Sequence, residues 1–285
     1  MRFMLFLLLV VLAVPAFAAD KAANGTTSLG GDSALPIDIA ADNSLEWDQT
    51  ARTYTARGNA VAKRGTFAIA ADLLVAHERD NETTKKSEVW KLTAEGNVHI
   101  MNTPAGGGQP TDIYGERGVY DIDRQVAVLT GDNLKLVSGD DTITARERFE
   151  YWQQQNLVVA VGDAEAVRAS QQGKAGERHI KADEMTALFK EDAQGNLQAQ
   201  RMEAKGAVKI ITATDVAIGD SAIYDLDKNK AQLKGGVHLT RDKNQLAGDR
   251  AEVDFNTGLS RLLAADTKTT KGRVRGLIYP RKAGE

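Results

Sequence analysis

The chain contains no cysteine. That removes disulfides, thiol nucleophiles and zinc–thiolate centres together, and leaves packing as the source of stability. Proline is scarce as well, with five in 285 residues. No low-complexity linker divides the chain, so a single elongated domain is expected. Neither sign of charge dominates: Lys and Arg number 36, Asp and Glu 39, and the formal net charge is −3. Such a chain offers no general attraction to nucleic acid or to an anionic membrane surface, so any anionic partner must be met locally.

Long apolar runs are missing except at the start. Met1-Arg2-Phe3-Met4, the apolar stretch Leu5 to Leu12 and the small-x-small end Ala16-Phe17-Ala18 form a secretory signal pattern with its cut after Ala18. The run is at the short limit for spanning a bilayer, so residues 1–18 are expected to be removed, leaving a soluble chain. Residues 19–34 read as a flexible N-terminal segment. No long 3.6-residue periodicity follows residue 20, which excludes a helical architecture.

What is present is a repeat. One half-unit has the form apolar-x-(Ala/Gly)-charged: Ile39-Ala40-Ala41-Asp42, Ile69-Ala70-Ala71-Asp72, Ile113-Tyr114-Gly115-Glu116, Ile143-Thr144-Ala145-Arg146, Ile180-Lys181-Ala182-Asp183, Ala217-Ile218-Gly219-Asp220 and Leu246-Ala247-Gly248-Asp249. The other starts at glycine, as in Gly58-Asn59-Ala60-Val61, Gly96-Asn97-Val98-His99-Ile100, Gly131-Asp132-Asn133-Leu134, Gly162-Asp163-Ala164, Gly206-Ala207-Val208 and Gly235-Gly236-Val237. The two alternate along residues 35–265. Between them lie turn signals such as Asp121-Ile122-Asp123-Arg124, Asp192 to Asn196, Asp225 to Asn229 and Asn256-Thr257-Gly258. Flanking stretches have period two, with Ala222, Tyr224 and Leu226 in one phase and Ser221, Ile223 and Asp225 in the other. That is the signature of strands with one buried and one wetter face.

Each unit is too small to bury its own apolar face, so neighbours must stack. The fold class expected is all-β: an elongated, slightly open β-jelly-roll or β-solenoid-like stack of about 13 to 16 strands, on the order of 35 Å long at the ~4.8 Å strand spacing.

These units, above all Leu92-Thr93-Ala94-Glu95-Gly96-Asn97-Val98-His99-Ile100 and Ile218-Gly219-Asp220-Ser221-Ala222-Ile223-Tyr224-Asp225, resemble the OstA-like repeat of the LptA/OstA family. The resemblance spans residues 35–265. It implies a V-sectioned β-jelly-roll in the periplasm whose interior accepts the lipid A acyl chains of lipopolysaccharide on their way to the outer membrane. The partners it implies are LptC-like and LptD-like OstA domains and further copies of the chain, joined end to end by edge strands. It implies no enzyme activity and no cofactor. Relative to a minimal member the chain is longer, with loops around Thr103 to Gly108 and Gln171 to Gly176.

Acyl chains need an apolar lining, worth about 0.8 kcal/mol per buried CH₂. Candidates on the apolar strand face are Ile100, Leu134, Leu136, Met185, Phe189, Val208, Ile210, Tyr224, Leu226, Val237, Leu239, Val253 and Phe255. Any one of them reads first as a core packing residue, so a lining role belongs to the set.

Sharper chemistry finds little support. His99 and His238 occupy one repeat position, while His77 and His179 lack metal-ligand spacing. The recurring Asp42, Asp72, Asp183, Asp220 and Asp249 read as turn or edge hydrogen-bonding groups, not catalytic carboxylates. Gly106-Gly107-Gly108 lacks the Lys-Ser/Thr of a phosphate loop. Three tryptophans at unrelated repeat positions do not make a sugar platform. Residues 266–285 form a basic strand or tail carrying Lys268, Lys271, Arg273, Arg275, Arg281 and Lys282. This segment is placed against lipid phosphates, an acidic partner or solvent. The competing class is a structural envelope scaffold with a dry interior.

Overall fold

Period-two alternation over strands of up to 16 residues builds one very large antiparallel sheet. The computed structural model describes residues 37–103, 109–169, 177–191, 197–265 and 272–279. The signal segment, the two loops around Gly106 and Gly173, and the Asp192 to Asn196 turn lie outside them. So do most of the basic residues of the C-terminal tail.

The strands are β1 (Asp38–Ala40), β2 (Ser44–Asp48), β3 (Thr53–Arg64), β4 (Phe67–Asp80), β5 (Ser87–Asn102), β6 (Thr111–Asp121), β7 (Val126–Thr130), β8 (Leu134–Ser138) and β9 (Asp141–Ala145). There follow β10 (Arg148–Trp152), β11 (Leu157–Arg168), β12 (Arg178–Glu191), β13 (Leu197–Ile211), β14 (Asp215–Asp225), β15 (Lys230–Arg241), β16 (Asn244–Asp254), β17 (Leu259–Leu263) and β18 (Arg275–Leu277). A 3₁₀ turn at Gln153–Gln155 precedes β11. Among the described residues no helix is long and apolar enough to cross a membrane.

Each long strand pairs with its sequence neighbours, so the chain runs as a meander. Short strands work in twos. β7 and β8 pair with the two ends of β6, β9 and β10 with the two ends of β11, β1 and β2 with β3, and β17 and β18 with β16. Each such duo is one long strand interrupted at mid-length, which is why the described residues form 18 strands where about 13 to 16 were expected.

The interruption is a bulge. Along β3, Arg57 faces Leu73 and Ala60 faces Ala71, so Gly58 and Asn59 together oppose Asp72. The same slip recurs on β5 between Glu95 and Val98, on β11 between Val161 and Ala164, on β13 between Lys205 and Val208 and on β15 between Lys234 and Val237. A bulge bends its strand and raises local twist. Bulges aligned from strand to strand therefore crease the sheet, and its two halves fold toward each other as a jelly-roll-like stack.

Most acidic residues of the repeat sit along this crease in mid-strand, Asp72 in β4, Glu116 in β6, Asp183 in β12, Asp220 in β14 and Asp249 in β16, and not in hairpin turns; Glu147 stands in the break between β9 and β10, and Asp42 in the break between β1 and β2, on the sheet edge. Asp72 packs against Gly96, Glu116 against Gly131, Glu147 against Gly162, Asp183 against Gly206, Asp220 against Gly235 and Asp249 against Gly272. In the fourth copy it is Glu147, not Arg146, that takes this place. Asn97 Nδ2 donates to Asp72 Oδ2 at 2.9 Å, and Asn59 Nδ2 to Asp42 Oδ2 at 2.8 Å. The hairpin turns fall at residues 122–125, 226–229 and 255–258, closed by Asp121, Asp225 and Asp254 carboxylates that accept backbone N–H groups.

Small side chains flank the crease: Ala56, Ala60, Ala71, Ala94, Ala164, Ala182, Ala204 and Ala222 are all buried. Larger side chains interleave with them at the same register level, as where Val98 faces Gly115 and Leu233 faces Ala222. Leu134, Leu233, Val98, Val208 and Val237 are essentially sealed from solvent. Each contributes about 1.5–3 kcal/mol.

Candidate functional site: an apolar cleft between the half-sheets

In the N-terminal part the two half-sheets do not meet, and a cavity of about 320 Å³ remains between them. One wall comes from the half-sheet on the 122–125 turn side, with Tyr54, Leu74, Leu92, Leu129 and Tyr151; the other carries Ile39, Phe67, Ile69, Ile100 and Ile113. Ala56, Ala94 and Gly118 form its floor at the crease. The few polar groups lie at the rim. Tyr120 Oη donates to Gln153 Oε1 at 2.7 Å, and burial raises the Tyr120 phenol above its ordinary range, opposed by the nearby Arg64 charge. Lys63 and Arg64 complete the lining, and no carboxylate is among the lining residues.

A second cavity of about 370 Å³ lies in the C-terminal part, bounded by Ile210, Leu239, Val253 and Phe255 but also by Arg178, Asp215 and Arg241. Its polar groups satisfy one another. Arg241 Nε and Nη2 donate to the two Asp215 oxygens at 2.5 and 2.9 Å, which holds the Asp215 carboxyl below the usual range. Arg178 Nη1 donates across the cleft to Tyr224 Oη at 2.9 Å and to Asn229 Oδ1 at 3.2 Å. Its guanidinium also stacks 4.6 Å over the Phe255 ring. Arg178 thereby ties the two half-sheets together.

The sequence-derived lining set is distributed unevenly. Ile100 lines the first cavity. Ile210, Leu239, Val253 and Phe255 line the second. Leu134, Leu136, Met185, Val208, Val237 and Tyr224 lie in the buried core, while Phe189 and Leu226 are half-buried against it. Most of the first cavity's wall escaped sequence reasoning. Tyr54, Leu74, Tyr120 and Tyr151 sit in the half-strands before the turns, away from the Gly-Asn-Val motif that drew attention. Their period-two phase, shared with Ala56, Ala76 and Leu129, was the available signal.

The histidines have local partners. His99 Nε2 pairs with Asp112 Oδ1 at 2.8 Å and its ring stacks on Tyr114; His179 Nδ1 pairs with Glu165 Oε1 at 2.9 Å. Burial, reinforced by Lys91, lowers the His77 pKa. Among the described residues no group of three or more His, Cys, Asp or Glu is placed to hold a metal ion.

Two overlapping stretches, residues 38–156 and 147–259, each match the model of a family described as LptA/(LptD N-terminal domain) LPS transport protein. All of the first cavity's lining but Ile37 falls within the first stretch, and the overlap contains β10. Among solved structures, the chain is similar to LptH of Pseudomonas aeruginosa, described as the LptA homologous periplasmic component of the conserved lipopolysaccharide transport device. Identity is 22% and the TM-score 0.39, over 45% of this chain and 83% of that one. No curated protein matches.

Proposed function

We propose, given that this chain belongs to the family of LptA and LptD N-terminal lipopolysaccharide-transport proteins, that it is a periplasmic carrier whose N-terminal cleft holds lipid A acyl chains. The family is one of transport, not of catalysis. The observation that carries the reading is the cleft itself. A cavity of about 320 Å³, walled by aliphatic and aromatic side chains and walled without a carboxylate, suits a lipid tail and little else.

The ends of the sheet support a bridging role with LptC-like and LptD-like domains and with copies of the chain. At one end, Leu45 and Trp47 on β2 are each 59% exposed. At the other, Leu259, Leu277 and Ile278 stand in solvent on or beside β17 and β18. Unpaired edges flanked by apolar side chains are suited to strand addition.

A scaffold without cargo needs no such cleft. The test is retention of lipopolysaccharide by the immobilised exported chain, compared with Leu74→Glu, which places a charge on the cleft wall. Retention by the wild type and its loss in the variant, with both folded, supports the carrier. Equal retention, or none by either, supports the scaffold.

A further inference from the structure

One cross-strand row follows the inner rim of the half-sheet that carries Arg64. Register places Arg64 beside Phe67, Phe67 beside Asn102, Asn102 beside Thr111, Thr111 beside Ser138, Ser138 beside Asp141 and Asp141 beside Arg168. Strand alternation points all of them toward the interior, in phase with Ala62, Ile69, Ile100, Ile113, Leu136 and Ile143. Polar side chains facing an apolar interior need partners.

Most of the row has them. Thr111 Oγ1 meets Ser138 Oγ at 3.0 Å, and Arg168 grips both Asp141 oxygens at 2.7 and 2.6 Å. Farther along the same half-sheet, Arg178 is held by Tyr224 and Asn229, and Arg241 by Asp215. Arg64 is the exception. Its Nε is buried without a hydrogen-bond partner, and it forms no ion pair with any described residue. Asn102 Oδ1, on the far side of Phe67, is the row's other open buried atom.

A guanidinium is always charged, and it is costly to hold beside an apolar cavity unless an acceptor arrives. Among the described residues, the cleft lining offers Lys63 and Arg64 no carboxylate. The fork geometry of arginine matches phosphate and carboxylate, with charge-assisted bonds about twice as strong as neutral ones.

Resting on the acyl-chain reading of the cleft, we propose that Arg64 is an anion-recognition residue: it binds the phosphate or carboxylate of an amphiphile whose tails fill the cavity. Arg64 thereby sets which amphiphile is admitted and how deep its headgroup rests, at the end of β3 facing Tyr120. The C-terminal cavity lacks such a group because its arginines are already paired.

The test uses the exported chain with three probes that share one tail: dodecyl phosphate, dodecanoate and dodecanol, each displacing a fluorescent apolar dye. The two anions are expected to bind at least about tenfold tighter than the alcohol, the scale of one charge-assisted contact. Arg64→Gln is expected to erase that preference, bringing both anions to the alcohol's affinity in a chain whose thermal unfolding stays cooperative. Arg64→Lys should keep part of it as a point charge without a fork. Equal binding of all three probes by the wild type, or a preference that survives Arg64→Gln, overturns the proposal and leaves the carrier reading standing. Failure of dodecanol and both anions to bind overturns the carrier reading itself. Competition of bound dodecyl phosphate by lipid A or by phosphatidic acid then identifies the source of the anion.

Discussion

Gly96, with φ of +76°, lies directly beneath the Asp72 side chain of the neighbouring strand, so that a β-carbon at position 96 would overlap the Asp72 carboxylate. The pair ties the two half-units of the repeat into one device: the glycine permits the bulge, and the acid covers it. Gly96→Ala is expected to cost about 2 kcal/mol or more, from the left-handed backbone and the overlap together. Gly236→Ala, also at positive φ but with nothing within 4 Å of the added carbon, should cost about 1 kcal/mol. Urea unfolding of both variants checks the difference. Adding Asp72→Ala to Gly96→Ala should recover part of the loss, as contacting residues couple.

The alternation of half-units was thus legible in the sequence, and with it the all-β stack. The inward phase of Ala222, Tyr224 and Leu226 was equally readable, since period two fixes the face. Where Asp72 or Asp220 act was not legible. An Asp after a small residue such as Ala71 or Gly219 reads locally as a turn, and only the pairing of distant strands places it on a crease. The same limit hid the cleft. Leu74 and Tyr151 are 77 positions apart by number, and only closure of the two half-sheets shows that their side chains bound one space. Arg64, in phase with Ala60 and Ala62, was a visible irregularity of the pattern: a charge on the buried face of a strand.

Arg178 holds the C-terminal half-sheets together through Tyr224, Asn229 and Phe255. Arg178→Ala removes two hydrogen bonds and a cation–π contact, so stability should fall by about 1–3 kcal/mol. The second cavity should open as well. Thermal melts check the first effect, and increased uptake of an apolar fluorescent dye, reversed by no other rim substitution, checks the second.

Acid should weaken the fold through its paired carboxylates. Arg241 holds the Asp215 pKa down, and His179, then Lys181, do the same for Glu165. A lowered folded pKa stabilises above the unfolded value, near 4, and that contribution is lost as pH falls through the folded value. Unfolding free energy should therefore be level with respect to these groups above about pH 5 and decline below about pH 4. Asp215→Asn should lower stability at neutral pH by less than about 1 kcal/mol, because the pair is partly exposed, and should make the acid decline shallower. Denaturant titrations from neutral to acid pH measure both.

The central claim, that acyl chains occupy the N-terminal cleft, is tested most directly by site-specific photo-crosslinking to lipopolysaccharide. A photoreactive residue is placed in turn at Leu74, Ile100 and Ile113 in the cleft, and at the outward-facing Tyr114 and Ile218 as controls. The account predicts adducts at the three cleft positions and none at the two controls. Adducts at the outward positions alone, or none at any position in folded protein, would contradict it.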